Sequence, residues 1–271
     1  TLWGEPYINK PPGLHWLIAS LMKISDLKGA HGLPSDFIIR AGPAFLSTLI
    51  VPLGGLIQWK LRPGENLTAI TTSSILLTLL PIVRHGRLAM LDGTQLTAMA
   101  CFWLVLLSID QSQNNKIRLL TAGLISSSML LLKAPLFIPP LIAALIAMFW
   151  EGIRLKRVEL KWFGIGLIPG CFWHLWHGLN RGSEALWIWF GDGAQRVLFE
   201  SGEGSDLGFL VPTIELLEGG WPWLLLLPMG IYVAWNERQS IWGKWVISTS
   251  LIMSISIFGL KTQLPWYSHP L

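Results

Sequence analysis

Long apolar runs constrain this chain more than any other feature of it. Residues 37–59, 67–83, 94–109, 162–179, 222–235 and 241–260 are runs of the kind a membrane-crossing helix needs, which is about 17 to 25 residues. The run 117–150 is too long for one crossing and is interrupted by Lys133-Ala134-Pro135. Proline inside a helix removes a hydrogen bond and clashes with the preceding turn, so this run divides in two and the total comes to about eight spans. Only 13% of the 271 residues are charged and the mean hydropathy is +0.51. Soluble domains carry about 25% charged residues. A soluble globular enzyme, a disordered segment and a fibrous protein are thereby excluded. The expectation is an all-α polytopic membrane protein, a single transmembrane domain over 1–271 with interfacial helices in its outer loops.

The loops divide by charge. Alternating sides from the first junction puts 60–66, 110–118, 151–161 and 236–244 together, and these four short loops hold ten Lys and Arg. The other side is more than twice as long and holds nine. The positive-inside rule makes the short loops cytoplasmic. The outward segments are then 1–36, with a short interfacial helix from Leu14 to Ile24, 84–93, the break at Lys133, the long loop 180–221, and 261–271. Basic residues are scattered rather than gathered on one face, which excludes nucleic acid as a partner. Cys101 and Cys171 lie in apolar runs and suggest no disulfide framework.

Nearly all the unusual polar residues fall on the outward side. Pro11 and Pro12 fix the backbone after Lys10, beside the rings of Tyr7 and Trp16. Asp92 stands where a helix would begin; it suits an N-cap, and Arg84 and Arg87 can pair with it or bind phosphate. Lys133 inside an apolar stretch is either a functional cation or a lysine snorkelling to the interface. Tyr267 and His269 follow the last span. His174 and His177, at helical i, i+3 spacing among tryptophans, would suit interface packing above metal binding; a divalent metal is a possible cofactor that the sequence does not support. No phosphate loop, dinucleotide fingerprint, nucleophile elbow or zinc-protease motif is present.

In this order the clusters resemble a known family. Asn9-Lys10-Pro11-Pro12-Gly13-Leu14-His15-Trp16 resembles the Lys-Pro-Pro signature of GT-C type membrane glycosyltransferases, in the subgroup of aminoarabinose transferase and the dolichyl-phosphate-mannose protein mannosyltransferases. Arg87-Leu88-Ala89-Met90-Leu91-Asp92, Leu132-Lys133-Ala134-Pro135 and Leu264 to Leu271 are similar to three further elements of that family. Ala134 stands where the family has glycine, and His269 is not a usual residue of the last motif. The family's catalytic acid lies upstream of the Lys-Pro-Pro element, and further spans follow the last motif. The chain is therefore expected to be an internal fragment.

The resemblance implies a multi-pass protein of the inner or plasma membrane that moves a sugar from a polyprenyl-phosphate carrier to a lipid, glycan or protein acceptor outside the cytoplasm. Within it Lys10, Lys133 and Arg87 would meet the donor phosphate, aided by Tyr267. Asp92 would be catalytic, and Tyr7, Arg84 and His269 would bind substrate. The alternative is a transporter or flippase of lipid-linked sugars, which calls for polar residues at the midplane and broken helices in repeated halves.

Overall fold

The computed structural model describes residues 10–25, 32, 34–110, 114–189 and 210–259, and these are helical almost throughout. A short helix α1 (Gly13–Ile24) precedes α2 (Asp36–Thr48) and α3 (Ile50–Leu61), which together form one apolar run. The chain then turns into α4 (Asn66–Thr78) and, after a 57° bend, α5 (Leu80–Gly86). Next come α6 (Leu91–Leu106), α7 (Lys116–Lys133), a 3-10 turn (Ala134–Phe137), α8 (Ile138–Glu151) and α9 (Arg157–Arg181). The last elements are α10 (Leu210–Gly220), α11 (Leu227–Asn236) and α12 (Ile241–Phe258), with a 101° bend between the first two.

The helix pair α7 and α9 has the most extensive packing in the structure, and its residues explain why. Gly123 and Ser127 of α7 face Gly166 and Gly170 of α9, and the Gly170 amide donates to the Ser127 hydroxyl. Small residues four apart let two backbones approach closely, which in a membrane is the main route to stable helix association. The opposite face of α9 presents Ile165, Ile168, Phe172, Leu175 and Leu179, all exposed and three or four residues apart. Such a stripe suits lipid and would be a liability in water.

The contacts between α7 and α9 fix the chain's direction. Asn115 meets Glu159, Gly123 meets Gly166, Ser127 meets Gly170, and Leu130 accepts from His174. The pairs rise together, so the two helices are parallel. Had α8 continued in the direction of α7, Glu151 would end about 50 Å beyond the level of Asn115. The residues between Glu151 and Arg157 reach about 20 Å at most. The chain must therefore double back, and it does so at Lys133, whose φ of −151° and ψ of 86° leave the helix. The expected division of 117–150 falls at that point. Helix α8 does not lie alongside α7 but packs on α12.

Among the described residues three runs can cross a membrane by length and composition, Asp36–Leu61, Lys116–Glu151 and Ile241–Phe258, or five if each bent pair counts as one. That is fewer than the eight expected. Helix α6 is shorter than a full crossing, α9 is long enough but is not among the sufficiently apolar runs, and the long run contains the reversal, so it counts once where two spans were expected. The grouping of the loops is confirmed side chain by side chain. Arg62 of the first short loop pairs with Glu237 of the fourth, Glu151 of the third pairs with Lys244 of the fourth at 2.9 Å, and Asn115 of the second meets Glu159 of the third. All four basic loops gather at one end of the bundle. Glu159 is held there below the usual carboxylate range, first by the Lys156 amide and then, against desolvation, by Asn115. Its contribution to folding is therefore present above the ordinary carboxylate pKa and is lost as pH falls through the lowered value.

Replacing Gly170 tests the α7–α9 contact. A Cβ there would stand 2.8 Å from the Ser127 carbonyl oxygen, so the backbones must part. Gly170→Leu is expected to lower stability by about 1 to 3 kcal/mol, read as a lower midpoint of thermal unfolding in detergent. Gly178→Leu, at a position with open space around it, should leave the midpoint unchanged.

Candidate functional site

The end of the bundle opposite the four loops is built by α6 and α7. They run antiparallel, so the first turn of one meets the last turn of the other. There Lys133 Nζ donates to Asp92 Oδ1 at 2.8 Å, with the two side chains only 15% and 10% exposed. This corrects the expectation that Asp92 caps α6. The N-cap is Met90, and the Asp92 side chain makes no capping bond. It lies in the first turn, where the helix dipole favours a carboxylate, and it spends its oxygen on the lysine. Lys133 is not a snorkelling lysine either, since its ammonium is buried in an ion pair.

Three further elements close around this pair. The α2–α5–α6 corner is tight because Ser47 packs against Gly93, and a Cβ on Gly86 would stand 3.6 Å from the Ser47 Cβ. Helix α1 lies on α7 at its other side. A Cβ on Gly13 would stand 2.7 Å from the Leu131 carbonyl oxygen, so only glycine allows this approach. Gly13 is three residues after Lys10, which places the Lys10 backbone within about 11 Å of that contact. The short turn Trp187–Trp189 packs on the 3-10 turn after Lys133, with Ile188 1% exposed.

The other expected site residues fall out as follows. Arg84 and Arg87 are exposed, and Asp92 pairs with neither. The shorter and more buried route to Asp92 belongs to Lys133, which reaches it across the helix interface. Tyr7, Tyr267 and His269 lie outside the described residues. His174 has both ring nitrogens engaged: Nε2 lies 3.1 Å from the Leu130 carbonyl oxygen, and Nδ1 accepts from Trp189 at 3.3 Å. These bonds fix a neutral ring that joins α9 to the Lys133 turn, and Trp173 stacks on His177. Among the described residues no three His, Cys, Asp or Glu gather in a way that would hold a metal.

Two residues that the sequence did not single out belong to this end. His85 is within electrostatic reach of Asp92. Gln95 follows Asp92 by one helical turn and is 4% exposed. A glutamine in an apolar run, three residues after the acid, was the signal available for it.

A double-mutant cycle separates an ion pair from two unrelated residues. Lys133→Met leaves Asp92 buried without its cation and is expected to cost about 3 kcal/mol. The pair Lys133→Met, Asp92→Leu should recover a large part of that, measured as thermal midpoints of the four proteins.

No family model matches the chain. An undecaprenyl phosphate-alpha-4-amino-4-deoxy-L-arabinose arabinosyl transferase of Erwinia tasmaniensis is 29% identical over 252 residues, which are 87% of this chain and 44% of that protein. The crystal structure of ArnT from Cupriavidus metallidurans bound to undecaprenyl phosphate matches with a TM-score of 0.74 at 16% identity, over 97% of this chain and 48% of that one. Its apo state matches with a TM-score of 0.72 at 14% identity, over 97% and 47%. The chain thus spans less than half the length of the relatives it matches. The fold agrees with the family that the four motifs resemble.

Proposed function

From a chain that has the GT-C fold of the aminoarabinose transferases, we propose a glycosyltransferase that moves a sugar from a polyprenyl-phosphate carrier to an acceptor at the outer face of the inner or plasma membrane. The observation that carries this reading is the buried Lys133–Asp92 pair at the end opposite the four basic loops. The Lys10-Pro11-Pro12 element is drawn to that pair by the close approach of Gly13 to α7.

In this reading the bond between the sugar C1 and the phosphate oxygen breaks, and its electron pair leaves with the lipid phosphate. The acceptor oxygen bonds to C1, and its proton passes to a carboxylate. Direct displacement inverts the configuration and needs no covalent sugar–enzyme intermediate. Charge develops on the phosphate, so preorganised cations are what lowers the barrier. Lys10, Lys133 and Arg87 supply them, with a hydrogen bond from Tyr267. Asp92 orients Lys133 and the sugar. Tyr7, Arg84 and His269 take part in holding substrate.

The bends after Thr78 and Gly220 are features that transporters share. Their buried charge, however, lies at the midplane, whereas Asp92 and Lys133 stand at helix ends. Radiolabelled sugar supplied on undecaprenyl phosphate distinguishes the two. Transfer to an acceptor on one side supports the transferase, and movement of intact donor between leaflets without transfer overturns it.

Lys10→Ala and Lys133→Ala should each weaken binding of undecaprenyl phosphate by roughly tenfold to a hundredfold, the loss expected for one charge-assisted hydrogen bond. Arg at either position should rescue only in part, because a planar fork differs from a compact ammonium. Sidedness has its own check. With Cys101 and Cys171 replaced, a cysteine at Ser183 should react with an impermeant thiol reagent on intact cells, and one at Lys156 should not. The reverse pattern would invert the orientation and place the site on the cytoplasmic face.

A further inference from the structure

The buried face of α6 carries a polar group that no described residue satisfies. Among the described residues neither Oε1 nor Nε2 of Gln95 has a hydrogen-bond partner, although the residue is 4% exposed. Its burial comes from this chain's own atoms, so it is not an edge awaiting another segment. A buried amide without a partner forfeits its hydration and receives nothing in exchange, and an apolar residue of similar size would serve folding better.

Its place on the helix suggests what it does. Gln95 is three residues after Asp92, so the two side chains lie on one face of α6 with Cβ atoms about 5 to 6 Å apart, a spacing at which Gln and Asp hydrogen-bond. The Asp92 carboxylate accepts a hydrogen bond from Lys133. The proposed function asks Lys133 to turn to the donor phosphate. Asp92 would then be left as a buried carboxylate without a cation, which is expensive.

Resting on that reading, we infer that Gln95 is a positioning residue that receives Asp92 when Lys133 engages the phosphate. The Gln95 Nε2 donates to the carboxylate, which keeps its charge and place while the ammonium is shared with the ligand. Only hydrogen bonds are exchanged. A lysine has three donors and can hold carboxylate and phosphate at once. In that case Gln95 would be idle, and the experiment tells the two apart.

The test is the binding of undecaprenyl phosphate to the intact protein in nanodiscs, by calorimetry, for wild type, Gln95→Leu, Asp92→Asn and the double variant. Gln95→Leu should weaken binding about tenfold, with the thermal midpoint of the ligand-free protein equal or higher. In the Asp92→Asn background the same change should alter binding by less than about twofold, since no charge remains to be received. Unchanged binding, an equal loss in both backgrounds, or a lower midpoint for both Gln95→Leu and Gln95→Met overturns the role of Gln95. If wild type does not bind undecaprenyl phosphate, or Lys133→Ala binds it equally well, the functional reading itself is overturned. Binding that depends on Lys133 but not on Gln95 leaves that reading standing and removes only this inference.

Discussion

The structure depends on the backbone contact between α7 and α9. Gly123, Ser127, Gly166 and Gly170 remove the side chains that would hold the two helices apart. Apolar surface gains nothing by leaving lipid for another apolar surface, so close packing and interhelical hydrogen bonds must supply the attraction. Once these helices are parallel and in register, the short link after Glu151 obliges the chain to reverse at Lys133. That reversal delivers the lysine to the end of the bundle. The Lys133–Asp92 pair is thus a consequence of where two glycine-lined helices touch.

The two ends of the bundle use charge differently. At the basic end, Arg62–Glu237 and Lys244–Glu151 join loops distant in sequence, and Arg62 lies 4.1 Å from the centre of the Trp242 ring. Of these groups Arg62, Glu237 and Glu151 keep contact with water, and the pairs serve mainly to hold loops together. At the other end both members of the pair, Lys133 and Asp92, are 15% or less exposed. A carboxylate left there without its cation is expensive, so under the proposed function a ligand that draws Lys133 away must be met by a group already in place. Gln95 is the group on the same helix face that is free of other bonds.

Much of this was legible along the chain. Run lengths gave the helices, loop charges gave the grouping of the four basic loops, and Pro135 marked the break. The resemblance of four short motifs pointed to a fold that two solved structures match over 97% of the chain. Other features were hidden for identifiable reasons. Asp92 reads as a cap because a helix start looks the same whether or not a cation waits across the interface. Arg84 and Arg87 read as its partners because they are near in sequence, yet the closer group is 41 residues away. The Gly166 and Gly170 spacing is visible, but it names no partner helix until Gly123 and Ser127 are seen opposite.

The sequence by itself determined that this is a membrane-spanning helical protein, where most of its helices begin and end, and which loops share a side. Those properties follow from hydrophobic run length and charge count, which are local and additive. Tertiary structure alone decided that Lys133 pairs with Asp92, that α1 rests on α7, and that Gln95 is buried without a partner. Each depends on the register between helices far apart in the chain. That register is set by a few small residues at a contact, and no local count of hydrophobicity or charge contains it.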